Sequence, residues 1–313
     1  MRFFLRITNL LYSCPMNNTN SPASMPMWQA YLTLGILSLV WGTSFILIKK
    51  SLESFTPVQV ACLRMSLSAL AFVPVLAYNY KRMDWSRLPL LMVLGLCSSA
   101  LPAILFSTAQ QKISSATAGV LNSLTPLFTM IIGVLIFKVT VKTRQVLGIL
   151  LGLVGAACLI LMGKGGISNS PVGYASLIVL ATVFYATGTN LIATKFRDMD
   201  SLLVSAGSFG TVGVPLGIYL LLGTDFIPRM GTLPNPWQSL GYVVLLSWVG
   251  TVLATIIFFK VIQQTSAIFG ATVAYLMPII AMLWGVADGE KIGLLHVGCM
   301  GVILVGVYLS RKQ

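Results

Sequence analysis

Ser114-Ser115-Ala116-Thr117-Ala118-Gly119, followed by Leu124-Thr125-Pro126, aligns without a gap to Ser266-Ala267-Ile268-Phe269-Gly270-Ala271, followed by Leu276-Met277-Pro278, at an offset of 152 positions. Upstream, Phe106 and Gln111 meet Phe258 and Gln263 at the same offset. Apolar segments align easily by chance, but matched prolines with matched flanks are a stronger sign, and the pair reads as an internal repeat.

Around these two segments the chain is a series of apolar runs. Of its 313 residues 57% are apolar and 9% charged, against about 25% charged in soluble proteins. From Trp28 onward the runs fall near 28–48, 57–78, 88–108, 114–137 and 145–163, then near 171–193, 201–222, 238–260, 266–287 and 292–309. Each is about the length of a membrane-spanning helix, and the connections leave no room for a sizeable soluble domain. Five spans per copy is an odd number, so the second copy enters the membrane from the opposite side. The expected fold is an all-α integral membrane protein of ten transmembrane helices in two inverted five-helix repeats, 28–163 and 171–310. Residues 1–27, with the polar stretch Asn17-Asn18-Thr19-Asn20-Ser21, read as a disordered cytoplasmic tail.

The formal charge of +13, from 20 Lys and Arg against 7 Asp and Glu, would suggest nucleic acid in a soluble protein. Here the cations sit singly or in pairs between apolar runs, so no nucleic-acid partner is expected. Assigned to alternating sides, 13 fall on the side of both termini and 6 on the other, with Arg64 left inside a span. The excess puts both termini in the cytoplasm of a cell (inner) membrane. Four of the five cysteines lie inside apolar runs and none forms CxxC. Neither a disulfide framework nor a metal site is expected, and each cysteine reads as a small packing residue.

Polar groups are costly in lipid and are expected to face a cavity or another helix. Arg64 is the clearest case. It reads either as an anchor for a substrate carboxylate or phosphate, or as a structural arginine that snorkels or bonds backbone carbonyls. Trp41 and Ser44 share a face of the first span. Asn122, Thr125 and Thr129 form a second polar stripe, where Pro126 deprives the Asn122 carbonyl of its helical donor. Thr182, Tyr185 and Thr189, with Asn190 beside them, form a third, and Thr272 and Tyr275 precede Pro278. Singly these read as packing or back-bonded residues, but stripes in equivalent helices of both halves point to a shared cavity. The candidate substrate-binding set is Trp41, Ser44, Arg64, Asn122, Pro126, Tyr185, Asn190, Tyr275 and Pro278. Gly148-x-x-x-Gly152, Gly213-x-x-x-Gly217 and Gly285-x-x-x-Gly289 are faces on which helices can touch. His296 and the Asp288, Glu290, Lys291 group read as interfacial.

GxxxxGK[ST], HExxH and GxSxG are absent from the sequence, so ATP hydrolysis and the common hydrolytic chemistries have no motif. No catalytic residue, cofactor or metal is expected. Proton coupling would have to use Asp288, Glu290, Glu53 or a tyrosine.

Trp41-Gly42-Thr43-Ser44-Phe45 with Lys49, Leu63-Arg64, the segments leading to Pro126 and Pro278, and Gly289-Glu290 before the last span resemble the EamA-type transporters of the drug/metabolite transporter superfamily, from about Trp28 to Leu309. The resemblance implies ten helices in two inverted units, a central cavity, cytoplasmic termini, and movement of small metabolites such as amino acids. Members usually carry a glutamate after the fourth helix too, which Phe137-Lys138-Val139-Thr140 lacks. The leading expectation is a secondary permease or exporter, not an enzyme, moving a small polar metabolite by alternating access. Its partners would be that solute and the lipid bilayer, with a homodimer left open. The rival readings are a membrane-embedded transferase, disfavoured by scattered acids, and a non-transporting scaffold or sensor.

Overall fold

The computed structural model describes residues 25–113, 115–162, 172–233, 235–287 and 294–309. Most of the expected tail, and Asp288, Gly289, Glu290 and Lys291, lie outside the described residues. Among those described the chain is entirely helical, without strands.

Helix α1 (Met27–Ser51) begins after Pro26 and carries Lys49 and Lys50 in its last turn, where the carbonyl end of the helix dipole favours cations. Helix α2 (Pro57–Asn79) starts at a capping box. Gln59 N donates to Thr56 Oγ1 at 3.3 Å and Thr56 N donates to Gln59 Oε1 at 3.0 Å, satisfying two amides that lack helical partners. The third apolar run is α3 (Leu88–Gly95), a π-helical turn at Leu96–Ala100, and α4 (Leu101–Ala109). The eighth repeats this form: α11 (Pro236–Ser247), a π turn at Trp248–Leu253, and α12 (Ala254–Gln264). The two π turns begin 152 positions apart, the offset of the aligned segments.

Two runs expected to be continuous, 114–137 and 266–287, are instead broken. The first is α5 (Ser115–Asn122) and α6 (Thr125–Leu135). Pro126 has no N–H for the Asn122 carbonyl, and Thr125 Oγ1 donates to it at 2.7 Å, so the break is sealed by a side chain. The second is α13 (Ala267–Ala271) and α14 (Val273–Ala287), interrupted at Thr272, whose hydroxyl donates to the Phe269 carbonyl at 2.6 Å. Pro278 lies inside α14. The remaining helices are α7 (Thr143–Met162), α8 (Val172–Lys195), α9 (Ser201–Leu222), α10 (Phe226–Thr232) and α15 (Leu294–Leu309).

Among the described residues six helical stretches are long and apolar enough to cross a membrane: Met27–Ser51, Pro57–Arg82, Trp85–Ala109, Val172–Lys195, Ser201–Leu222 and Pro236–Gln264. Shorter apolar helices accompany them at Thr125–Leu135, Thr143–Gly155 and Ala267–Ile280. Their outward faces are apolar, with Leu70 and Val154 both 62% exposed, as lipid-facing surfaces must be. This is a multi-pass membrane protein.

Cross-links fix which loops share an end. Arg87 meets Asp198 in a two-pronged pair at 2.8 and 2.6 Å, with Asp84 at 3.0 Å on the same guanidinium. At the other end Gln59 Nε2 donates to Asp225 Oδ1 at 2.7 Å, and the Ser54 and Ser239 hydroxyls lie 2.8 Å apart. The segments around Arg87 and Asp198 therefore share one end of the bundle, and those around Ser54, Gln59, Asp225 and Ser239 the other.

Two helix pairs form the tightest contacts. On α9, Gly213 faces the Met65 carbonyl and Ala69 of α2, and Phe72 stacks on Phe209 at 5.6 Å. On α15, Gly306 lies against the backbone of Gly148 and Gly152 in α7. Small residues let backbones approach where lipid supplies no hydrophobic drive. The same contact corrects one expectation. Cys158 of α7 and Cys299 of α15, 141 positions apart, are joined as a disulfide with Cα atoms 6.1 Å apart. Sequence spacing could not reveal it, because helix pairing alone makes them neighbours. Cys62 and Cys97 are free and buried, as expected of packing residues.

Candidate functional site

Helices α1, α2, α4, α5, α6, α8, α12, α13 and α14, together with both π turns, line a cavity of ≈ 110 Å³. A π turn widens the helix by one residue, turning side chains and carbonyls away from the ordinary register, and such turns recur at functional sites. Here one presents Ser98 and Ser99 to the cavity and the other presents Gly250 and Thr251. The Gly250 carbonyl accepts from Trp41 Nε1 at 2.7 Å, which seats the indole of α1 against the second half of the chain. Phe258 packs edge-on to that indole with centroids 4.9 Å apart.

Arg64 enters the cavity from α2, seven residues or about 10 Å along the helix from its start. Its Nε donates to Thr251 Oγ1 at 2.8 Å, and the Thr251 hydroxyl in turn donates to the Leu246 carbonyl at 3.0 Å. That relay leaves a Thr251 lone pair for the guanidinium. Tyr185, on α8, lines the same cavity and packs against Phe106 with ring centroids 6.0 Å apart. Asn122 donates to Met277 Sδ at 3.2 Å, a contact between α5 and α14. Ser44 is back-bonded to the Val40 carbonyl at 3.0 Å.

Of the nine residues singled out in the sequence, Trp41, Ser44, Arg64, Asn122 and Tyr185 line this one cavity. Asn190 lines a second, of ≈ 270 Å³, between α6, α8 and the α12–α13 junction at the Arg87 end of the molecule. There its Nδ2 donates to the Thr129 carbonyl of α6 and to the Ala186 carbonyl, each at 2.9 Å. Pro126, Tyr275 and Pro278 line neither. Tyr275 is fully buried, and its hydroxyl donates to the Ile149 carbonyl of α7 at 2.8 Å. Sequence reasoning missed Ser98, Ser99, Thr251 and Thr255. The signal was present: Ser98-Ser99 and Gly250-Thr251 are small or hydroxylic pairs inside apolar runs at the repeat offset.

The described cavity wall holds one cation, several hydroxyls, the Asn122 amide, a remainder of mixed aromatic and aliphatic residues and no acid. Among the described residues no group of three His, Cys, Asp or Glu could hold a metal ion. Such a wall can bind and orient a small polar solute.

Comparison with known proteins agrees with this architecture. The sequence profile of the EamA-like transporter family matches twice, at residues 28–161 and 173–311. The "Uncharacterized inner membrane transporter YedA" of Escherichia coli is 25% identical over 290 residues, covering 91% of this chain and 90% of that protein. A "Probable amino-acid metabolite efflux pump" of Salmonella typhimurium is 23% identical over 285 residues, covering 88% and 92%. One crystal structure superposes with a TM-score of 0.65 at 18% identity over 90% of this chain and 96% of that one, a likeness of fold. Two successive matches to one profile, spanning nearly the whole sequence, place this chain in the EamA-like transporter family.

Proposed function

We propose that the protein is a secondary transporter of a small polar metabolite, an amino acid or related compound, working by alternating access across the cell (inner) membrane. In this reading ten spans form two inverted five-helix units, 28–163 and 171–310, with both termini in the cytoplasm. The observation that carries it is the cavity walled by both halves, where Trp41, Ser44, Arg64, Asn122 and Tyr185 converge. Inverted-repeat transporters bind solute between their repeats near the midplane. The matching offset of the π turns and the pairing of α2 with α9 and α7 with α15 support the repeat. The printed name of the Salmonella relative supports the solute class. Asn190 belongs to the path beyond the site, and Pro126, Tyr275 and Pro278 serve the packing of the helices behind it.

The test is counterflow in proteoliposomes across a panel of amino acids and their derivatives. Saturable movement of at least one solute, abolished in Asn122→Ala, is expected. Folded, monodisperse protein that moves none of them overturns the reading.

A further inference from the structure

Arg64 has no counter-charge among the described residues. Every described acid sits at an end of the bundle and is engaged there: Glu53 with Lys50 at 2.8 Å, Asp84 and Asp198 with Arg87 at 3.0 and 2.6 Å, and Asp225 with Arg229 at 2.6 Å. Asp200 caps α9 through the Leu202 amide at 2.8 Å. None lines the cavity. The guanidinium uses Nε on Thr251 and makes no hydrogen bond to any described residue through either Nη. Its unused edge therefore offers parallel N–H donors, the arrangement that grips a carboxylate in two-pronged fashion. Tyr185, whose hydroxyl also makes no hydrogen bond to any described residue, lines the same cavity.

We propose that the transported solute is recognised as a monoanion: a carboxylate held by the free edge of Arg64, with Tyr185 beside it, on a small apolar body against Trp41, Phe106 and Phe258. This rests on the cavity being the transport site, and it names what that site reads. Charge decides between oxyanions. One cation balances a carboxylate, whereas a phosphate dianion would keep an unbalanced charge in a low-dielectric site. The same reasoning applies to an ammonium group, since the described wall holds no acid to receive it, so an amino acid would be gripped by its carboxylate alone. The cavity volume of ≈ 110 Å³ lies below the roughly 150 Å³ that takes a benzene ring, which favours a short body.

The probes are matched series on one carbon skeleton, from propionate to 3-phenylpropionate: the carboxylate, its primary amide, the corresponding amine, the 2-amino acid and the phosphonate. Ligand-induced thermal shift on purified protein reads binding, and proteoliposome counterflow reads transport. The expected result is binding of at least one carboxylate, weaker by about tenfold or more as its amide, which loses a charge-assisted pair. The deamino acid should bind at least as well as the amino acid, and the phosphonate and amine less well. Arg64→Gln should abolish the preference for carboxylate over amide, and Arg64→Lys should keep part of it. The wild-type series stands alone should the variants not fold. Equal binding of carboxylate and amide, preference for amine or phosphonate, or no carboxylate bound at all overturns the proposal. Carboxylate binding that depends on Arg64 without any flux would sink the transport reading and leave this one standing. Flux of neutral or cationic solutes, unchanged in Arg64→Gln, would do the reverse.

Discussion

Gly301 and Gly306 sit on one helix, α15, within about a turn and a half of each other, yet their surroundings differ completely. A Cβ added to Gly301 meets nothing within 4 Å, whereas at Gly306 it would lie 2.5 Å from Gly152 N and 2.7 Å from Gly148 O. Ordinary contact begins near 3.4 Å, so Gly306→Ala forces α15 and α7 apart by about 1 Å against backbone that cannot rotate aside. Overpacking of this kind costs about 1–3 kcal/mol. Alanine is favoured over glycine inside a helix by about 1 kcal/mol at either position. Gly301→Ala should therefore stabilise by up to about 1 kcal/mol, while Gly306→Ala should range from neutral to about 2 kcal/mol destabilising. The difference between the two variants cancels helix propensity and isolates the clash. Unfolding free energies from SDS titration of protein in one mixed micelle composition would measure it. Equal stabilities for the two variants would mean that α7 and α15 do not touch at Gly152, and the packing argument would fail with them.

Tyr275 was chosen from sequence as a solute contact, but its hydroxyl is committed to the Ile149 carbonyl. Tyr275→Phe should lose about 0.6 kcal/mol of stability, the average of side-chain hydrogen bonds within membrane proteins, with the Michaelis constant of counterflow unchanged; a several-fold rise in that constant would return Tyr275 to the site. At the Arg87 end, the hydrogen bond from Arg87 holds the Asp198 carboxyl below its ordinary value of 3.8. A carboxylate depressed in the folded state contributes stability that is complete above the unfolded value and lost as pH falls through the lower folded one. The gap between wild type and Asp198→Asn should thus be complete at pH 7 and shrink as pH falls below 3.8 in parallel thermal melts; a gap independent of pH would show that the pair contributes no charge-dependent stability.

The long apolar runs carried the all-helical membrane architecture because they are a direct consequence of lipid as solvent: backbone groups must be satisfied within helices, and charges must leave the core. Arg64, Trp41 and Asn122 were legible for the same reason, as polar groups too costly to face lipid. Tyr275 was not, because a stripe read at 3.6 residues per turn assumes an unbroken helix. The interruption at Thr272 changes the register, and Tyr275 comes to face α7. The π turns escaped too. An i→i+5 turn has no residue signature comparable to proline, so the Ser98-Ser99 and Gly250-Thr251 pairs were legible only through their shared offset. The Cys158–Cys299 bond depends on which helices pair, a tertiary fact that spacing does not encode.

The two cavities lie end to end along the same helices. On α6, Thr125 lines the first and Thr129 the second, one turn apart, with the Asn190 amide bonded across at the Thr129 carbonyl. One turn is about 5.4 Å, a small part of a hydrocarbon core about 30 Å thick. In a conformation where each hollow opens to its own side, the electrical potential of an energised membrane falls chiefly across that short septum rather than along the whole bilayer. On the proposed transport reading, each elementary charge carried past Asn190 would exchange about 2.3 kcal/mol with the field per 100 mV, and an interior-negative voltage would drive the proposed anion outward.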